Sequence, residues 1–352
     1  MTELIHLNFA TFVSLKILVG KNMSLFSTSG NLKKRKRVLV STRLLREGFS
    51  HLEEHFEVVF PENEVFSRSE ILQLLPSFDA FVPTFQFKVD KDIIDAGQDR
   101  LRIIANYGVG YNNIDIDYAS SKDIIVTNTP DPVIEPTAEQ AFALMLAAAR
   151  RIAECDRKLK SKDGLKWGVL ENLGQTLYGK TIGIVGMGRI GQSLARRAQA
   201  NGMKIVYYNR TKLPLDIENL YQAEWMGLDD LLSASDVVSL HVPLTDETFH
   251  LIASEELGRM KASAILVNTA RGQVINENDL INALENRSIY AAALDVYEFE
   301  PIISQKLLQM DNVVLAPHNG TATIEARNDM ARFVSQNIIR YFAGRTDINR
   351  VN

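Results

Sequence analysis

Gly186-Met187-Gly188-Arg189-Ile190-Gly191 follows directly on an apolar run, TIGIVG (181–186), and opens an amphipathic stretch, GQSLARRAQANG (191–202). A strand, a glycine turn and a helix start in that order make a phosphate cradle. Gly186 permits the tight turn, Gly188 lets backbone approach a pyrophosphate, and Gly191 lets the helix pack closely on the strand. The helix start, with Arg189 and Ile190, offers N–H groups that no helical carbonyl uses. A glycine triplet alone is weak evidence. Here a second strand, KIVYYN (204–209), ends about 20 residues further on, which is the context a dinucleotide site requires. Three ionisable residues lie at or just beyond later apolar runs. Arg271 follows AILVNTA (264–270), Glu300 comes shortly after AAALDVY (291–297), and His318 follows NVVLAP (312–317). In an open parallel sheet the carboxyl ends of the strands form the ligand crevice, so the three are expected to converge beside a nicotinamide.

The end of KIVYYN bears on which nicotinamide. An NAD-selective site has an acid there for the ribose 2′-hydroxyl. This chain has Tyr208-Asn209-Arg210-Thr211-Lys212 instead. Asn209 and Thr211 donate hydrogen bonds without repelling phosphate, and Arg210 can pair with a 2′-phosphate. The expected cofactor is NADP(H), with NAD(H) as the alternative. No metal is called for.

Two alternating series of elements are needed to position these groups. The first holds RVLVST (37–42), FEVVF (56–60), AFVPTF (80–85), LRIIANY (101–107) and IIVTN (124–128), with helix-like stretches at 68–76 and 89–97. A long Ala-rich helix from Thr137 to about Glu154 then leads to the second series. That series comprises TIGIVG, KIVYYN, VVSLHV (237–242), AILVNTA, AAALDVY and NVVLAP, and a final amphipathic helix spans 321–344. Short buried strands between helices predict parallel sheets covered on both faces. At about 150 residues per domain, 352 residues suggest two domains.

Composition bounds the partners. The chain is 46% hydrophobic and 23% charged, as in an ordinary globular protein. A net charge of -4 gives no reason to expect nucleic acid or an anionic membrane. The single cysteine, Cys155, excludes an intrachain disulfide and fits a reducing, cytoplasmic setting. Residues 1–36 read as an N-terminal extension. Its apolar stretch (7–20) is too short to span a bilayer and is interrupted by Lys16. Its basic run, Lys33 to Arg37, reads as a solvated edge leading into a strand, with a nuclear signal as the alternative. Met23 is a candidate start.

Several segments together resemble the D-isomer-specific 2-hydroxyacid dehydrogenase family. They are GVGYNNID (108–115), TNTPDPVIEPTAEQAFALMLAAARR (127–151), GKTIGIVGMGRIGQSLARRAQANGMKIVYYNR (179–210), HVPLTDET (241–248), VNTARGQVINENDL (267–280), AALDVYEFEP (292–301) and APHNGTAT (316–323). They are spread over almost the whole chain beyond residue 36.

The resemblance implies two doubly wound α/β lobes with parallel sheets. A Rossmann cofactor domain (137–317) would be inserted into a flavodoxin-like substrate domain (37–136 with 318–352). Hinges are expected near Pro136 and Pro317. The family's arginine, glutamate and histidine fall on Arg271, Glu300 and His318. Arg271 would hold the substrate carboxylate, and His318 would be the general acid with Glu300 on its other ring nitrogen, a role for which Glu298 is the alternative. Val109 and Gly110 would give backbone N–H groups to the same carboxylate. Thr137, Val242, Thr269, Ala270 and Asp295 would line the cofactor, Asp295 facing the nicotinamide amide. His241 is read as a structural or cofactor-side residue. Phe85, Gln86 and Phe87 are candidates for shaping the pocket. The implied activity is reduction of a small 2-oxo acid, glyoxylate- or hydroxypyruvate-like, to the D-2-hydroxy acid. The partner expected beyond that substrate is a second copy, in a homodimer joined through the 137–154 helix and the arm after it. A phosphoglycerate dehydrogenase-like enzyme and a corepressor-like, NAD(H)-dependent binding protein are the alternatives.

Overall fold

The computed structural model describes residues 35–161 and 164–352. The N-terminal extension, with its apolar stretch and the start of its basic run, lies outside the described residues except for its last two. Two parallel sheets dominate. The first holds β1 (Arg37–Val40), β2 (Glu57–Val59), β3 (Ala80–Val82), β4 (Ile103–Ala105) and β5 (Ile125–Thr127), in the order β2-β1-β3-β4-β5. The second holds β6 (Thr181–Val185), β7 (Lys204–Tyr208), β8 (Ala223–Trp225), β9 (Val237–Leu240), β10 (Ile265–Asn268), β11 (Ala291–Leu294) and β12 (Val313–Leu315). Its order is β12-β11-β10-β9-β6-β7-β8. These are the flavodoxin-like and Rossmann orders. The strands are mostly unbroken apolar runs because helices cover both faces, so little solvent-facing alternation survives.

Two helices tie the sheets to their own cores. Ile134–Ala149 buries Ala138, Ala141, Leu144 and Met145 against β10, β11 and β12. Its small side chains let it lie close to the strands. Ile324–Phe342 buries Met330, Ala331, Val334 and Ile338 against the valines and isoleucine of β1, β3 and β4. The last helix thus returns to the first sheet, and the second sheet is inserted between. The chain passes from one sheet to the other at 128–133 and returns at 316–323. Pro136 sits in the first turn of the Ile134–Ala149 helix, where its missing N–H costs nothing. The first crossing therefore precedes it.

The single helix expected from Thr137 to about Glu154 is two helices. Ile134–Ala149 ends, Arg151 adopts φ +53°, and a second helix runs Ile152–Lys160. Apolar periodicity carries across the break, so it hid a left-handed residue that only backbone geometry reveals. The arm that follows exposes Trp167, Val169, Leu170 and Tyr178. By contrast, much of the apolar face of Ile134–Ala149 is consumed inside its own lobe. Among the described residues no helix is long and apolar enough to cross a membrane.

Candidate active site

The glycine turn leaves β6 where β9 lies beside it, the point at which the strand order reverses. Its three glycines meet three different surroundings. Gly186 has φ +96°, and a Cβ there would lie 2.7 Å from the His241 carbonyl carbon. At Gly191 a Cβ would lie 2.5 Å from the Gly186 oxygen, so helix and turn are packed to contact. At Gly188 a Cβ would meet nothing within 4 Å. Two glycines are thus closed by protein and the middle one faces an open cradle. The helix Arg189–Ala200 begins there with no side-chain cap on Gly188. These features fit a bound pyrophosphate.

The cofactor-side residues divide. Ile190, Thr137, Val242, Thr269 and Ala270 line one cavity of about 240 Å³ together with Arg271, Asp295 and His318. Among the described residues the buried Thr269 Oγ1 has no hydrogen-bond partner, which suits a carboxamide ligand. Asp295 spends both carboxylate oxygens on the N–H groups of Asn319 and Gly320, each at 2.8 Å. It therefore fixes the turn that carries His318 as well as facing the cavity. Burial raises its pKa against those two N–H donors. The Arg189 guanidinium pairs with Asp131 at 2.6 Å, leaving its backbone N–H for a phosphate. Asn209 Oδ1 accepts the Met187 N–H at 2.7 Å, so that side chain holds the glycine turn from below. Arg210 and Thr211 are exposed on the rim of a second hollow shared with Gly188, Thr245 and Glu247. The Arg210 charge is felt at Glu247, whose carboxyl is lowered first by the Thr245 hydroxyl.

Arg271, Glu300 and His318 come together, carried by loops after β10, β11 and β12. His318 Nδ1 lies 2.9 Å from Glu300 Oε2, and Glu300 Oε1 accepts the Tyr297 N–H at 3.0 Å. Burial raises the Glu300 carboxyl, but the His318 bond and charge, the Tyr297 N–H and Arg271 more than offset it, and the net shift is downward. A carboxylate only accepts, so His318 Nδ1 carries a proton and Nε2 is left for the cavity. The imidazole lies against Phe85, ring centroids 4.3 Å apart. Glu298 is taken: its Oε1 lies 2.7 Å from His250 Nε2 and its Oε2 accepts the Glu277 N–H. The His241 ring pairs with Ser239 Oγ at 2.9 Å, and burial pushes it down to about 4.

The first sheet supplies the opposite wall. Asn128 donates to the Val109 carbonyl and Asn106 to the Gly110 carbonyl, both at 2.8 Å. With their carbonyls tied back, Val109 and Gly110 have N–H groups that no described residue accepts. The Arg271 guanidinium lies directly on this loop: a Cβ on Gly110 would be 1.6 Å from Nη2. Burial lowers the Arg271 pKa and the Glu300 charge partly restores it. Of the three candidates after β3, Phe85 lines the cavity. Phe87 turns into the core against Phe81, and Gln86 is exposed. Asn106 and Asn128 were missed by sequence reasoning. Their only signal was an amide directly after each of two neighbouring strands, β4 and β5.

A cation over a pair of free N–H groups, an imidazole backed by a carboxylate, and an open phosphate cradle are the parts for reducing a carbonyl beside a carboxylate. Residues 142–320 match the family described as D-isomer specific 2-hydroxyacid dehydrogenase, NAD binding domain. A glyoxylate reductase of Thermococcus onnurineus is 46% identical over 321 residues, covering 90% of this chain and 96% of that protein. Among solved structures, a glyoxylate reductase from Paecilomyes thermophila has 33% identity and a TM-score of 0.80, covering 90% of this chain and 98% of that one. An NADPH-dependent glyoxylate/hydroxypyruvate reductase from Sinorhizobium meliloti, solved with NADP and malonate, has 29% identity and a TM-score of 0.77, covering 90% and 97%.

Proposed function

The chain belongs to the D-isomer-specific 2-hydroxyacid dehydrogenase family, and on that premise we propose that it reduces glyoxylate or hydroxypyruvate with NADPH. Reduction of a 2-oxo acid with a nicotinamide cofactor follows from the family itself; the named substrates, the NADPH preference and the residue roles are the proposal. The observation that carries it is the convergence of Arg271, His318 with Glu300, and the Val109–Gly110 N–H groups on one cavity.

The substrate carboxylate sits where the Arg271 guanidinium and the two loop N–H groups meet, an arrangement that fixes orientation as well as charge. A bound nicotinamide supplies the hydride, which the substrate C2 receives. As C2 is reduced its oxygen gains negative charge, and His318 gives that oxygen the proton held on Nε2. The Glu300 carboxylate steadies the imidazolium beforehand and keeps Nδ1 protonated afterwards. Arg271 lowers the cost of the developing charge from the other side. Phe85 covers one face of the imidazole. Arg210 on the rim of the second hollow would meet a 2′-phosphate. The substrate lobe is read as 37–136 with 318–352, and the cofactor lobe as 137–317. The apolar arm around Trp167 and Leu170 would join two copies, which light scattering reads directly as twice the 39.5 kDa chain mass.

Steady-state rates with NADPH and NADH against glyoxylate and hydroxypyruvate test the reading. NADPH-dependent turnover of either acid is expected. No turnover of any 2-oxo acid would sink it.

A further inference from the structure

A second arginine lines the cavity that holds Arg271. Arg327, in the first turns of Ile324–Phe342, lines it and is half-buried. Two contacts set its place. Its carbonyl accepts the Tyr107 hydroxyl at 2.7 Å, and its guanidinium carbon stands 6.0 Å over the buried Tyr107 ring. Among the described residues no carboxylate lies within 4 Å of it and no acceptor takes its side-chain N–H groups. The carboxylates at the catalytic cluster are engaged elsewhere. Asp295 accepts two backbone N–H groups, and Glu300 is bonded to His318. A guanidinium offers five donors and stays charged, so one held in a cavity wall without a counter-ion is built to receive an anion.

Resting on the reading of Arg271 as the grip on the C1 carboxylate, the geometry points to Arg327 as a subsite for a second anionic group of the substrate. Two cations in one cavity imply two anionic groups on the ligand. The chain therefore favours 2-oxo dicarboxylates over 2-oxo monocarboxylates of equal length.

Oxaloacetate and 2-oxobutanoate test this, since both have four carbons and differ in the terminal group. The wild-type kcat/KM ratio of oxaloacetate to 2-oxobutanoate is expected to exceed about ten. In Arg327→Gln the ratio falls on the order of 10- to 100-fold, the range of a charge-assisted hydrogen bond. In Arg327→Lys part of it is kept. A ratio taken within one enzyme divides out lost folding or general damage. A wild-type ratio near one, or a ratio unchanged in Arg327→Gln, overturns the subsite. Glyoxylate turnover by the wild type, measured alongside, separates the two failures: with turnover and a flat ratio only the subsite falls, and with no 2-oxo acid turned over the proposed function falls too.

Discussion

Gly110→Ala tests the grip on the substrate carboxylate without touching an ionisable group. The new methyl carbon would lie 1.6 Å from Arg271 Nη2 and 2.7 Å from Cζ. Ordinary contact needs about 3.5 Å or more between such atoms, so the guanidinium must retreat by roughly 2 Å. The clashing atoms are the far end of a flexible side chain, and Gly110 is not among the glycines with positive φ, so the backbone accepts the methyl. Stability should change little. What is lost is a charged hydrogen bond worth about 1.5–3 kcal/mol, or roughly 10- to 100-fold in kcat/KM. The assay is steady-state reduction of glyoxylate at saturating NADPH, with cofactor affinity by fluorescence titration and unfolding by circular dichroism. KM for the 2-oxo acid should rise while cofactor affinity stays within about twofold, as expected when only ground- and transition-state binding of the acid is lost. A double-mutant cycle makes the reasoning refutable. If the methyl acts by displacing Arg271, then Gly110→Ala costs almost nothing in an Arg271→Ala background. Additive losses, or a large fall in melting temperature, would show that the loop itself had been damaged.

His318→Gln should bind cofactor normally and reduce substrate on the order of 10²–10⁴ more slowly; near-normal turnover would refute its role as acid. Arg210→Ala should raise the Michaelis constant for NADPH roughly tenfold or more and leave that for NADH nearly unchanged; equal effects would count against a 2′-phosphate contact. His241 should make the fold acid-sensitive. Its folded value of about 4 lies below its ordinary 6.5, so between those values the unfolded chain takes up a proton that the folded chain refuses. Stability therefore falls as pH drops through that window, by at most about 3 kcal/mol at ~1.4 kcal/mol per unit. Urea titrations from pH 7 to 4.5 should show a shallower fall for His241→Asn; parallel curves would rule out this residue as the source.

The sequence is most legible where chemistry forces a residue type. Gly186, Gly188 and Gly191 had to be glycines for three separate reasons, and each reason reappears as a contact or as open space. Arg271, Glu300 and His318 were readable because parallel sheets gather strand ends. The preference for Glu300 over Glu298 rested on the family match, and the structure supplies its physical counterpart: Glu298 is held by His250, a residue 48 positions away. Asn209 shows the opposite limit. Read as a cofactor-side donor, its side chain has a second task that the sequence does not show: Oδ1 accepts the Met187 N–H under the glycine turn, and the amide N–H groups are left to donate. Phe85 and Phe87 share a residue type and lie two apart. One lines the cavity and the other fills the core, because the chain between them is a turn that local pattern cannot orient. The break at Arg151 escaped for the same reason, since left-handed backbone at an arginine leaves no mark on hydrophobic periodicity.

The division of the site between two sheets has a mechanical consequence. Gly110 belongs to the first sheet and Arg271 to the second, yet the guanidinium lies on the glycine with no space between them. Any opening of the cleft separates that pair, so the proposed carboxylate grip would need the lobes closed. Two polar bridges across the cleft are weak. Arg189–Asp131 crosses the cleft, but both side chains are more than half exposed, and such a pair contributes at most about 1 kcal/mol. Asn112 adds one hydrogen bond to the Leu244 carbonyl at 3.2 Å. With the proposed roles, a substrate carboxylate touching both Arg271 and the Val109–Gly110 N–H groups would add a further bridge between the lobes. The anion proposed to be recognised would then also help to close the cleft and exclude water from the proton that His318 is proposed to donate.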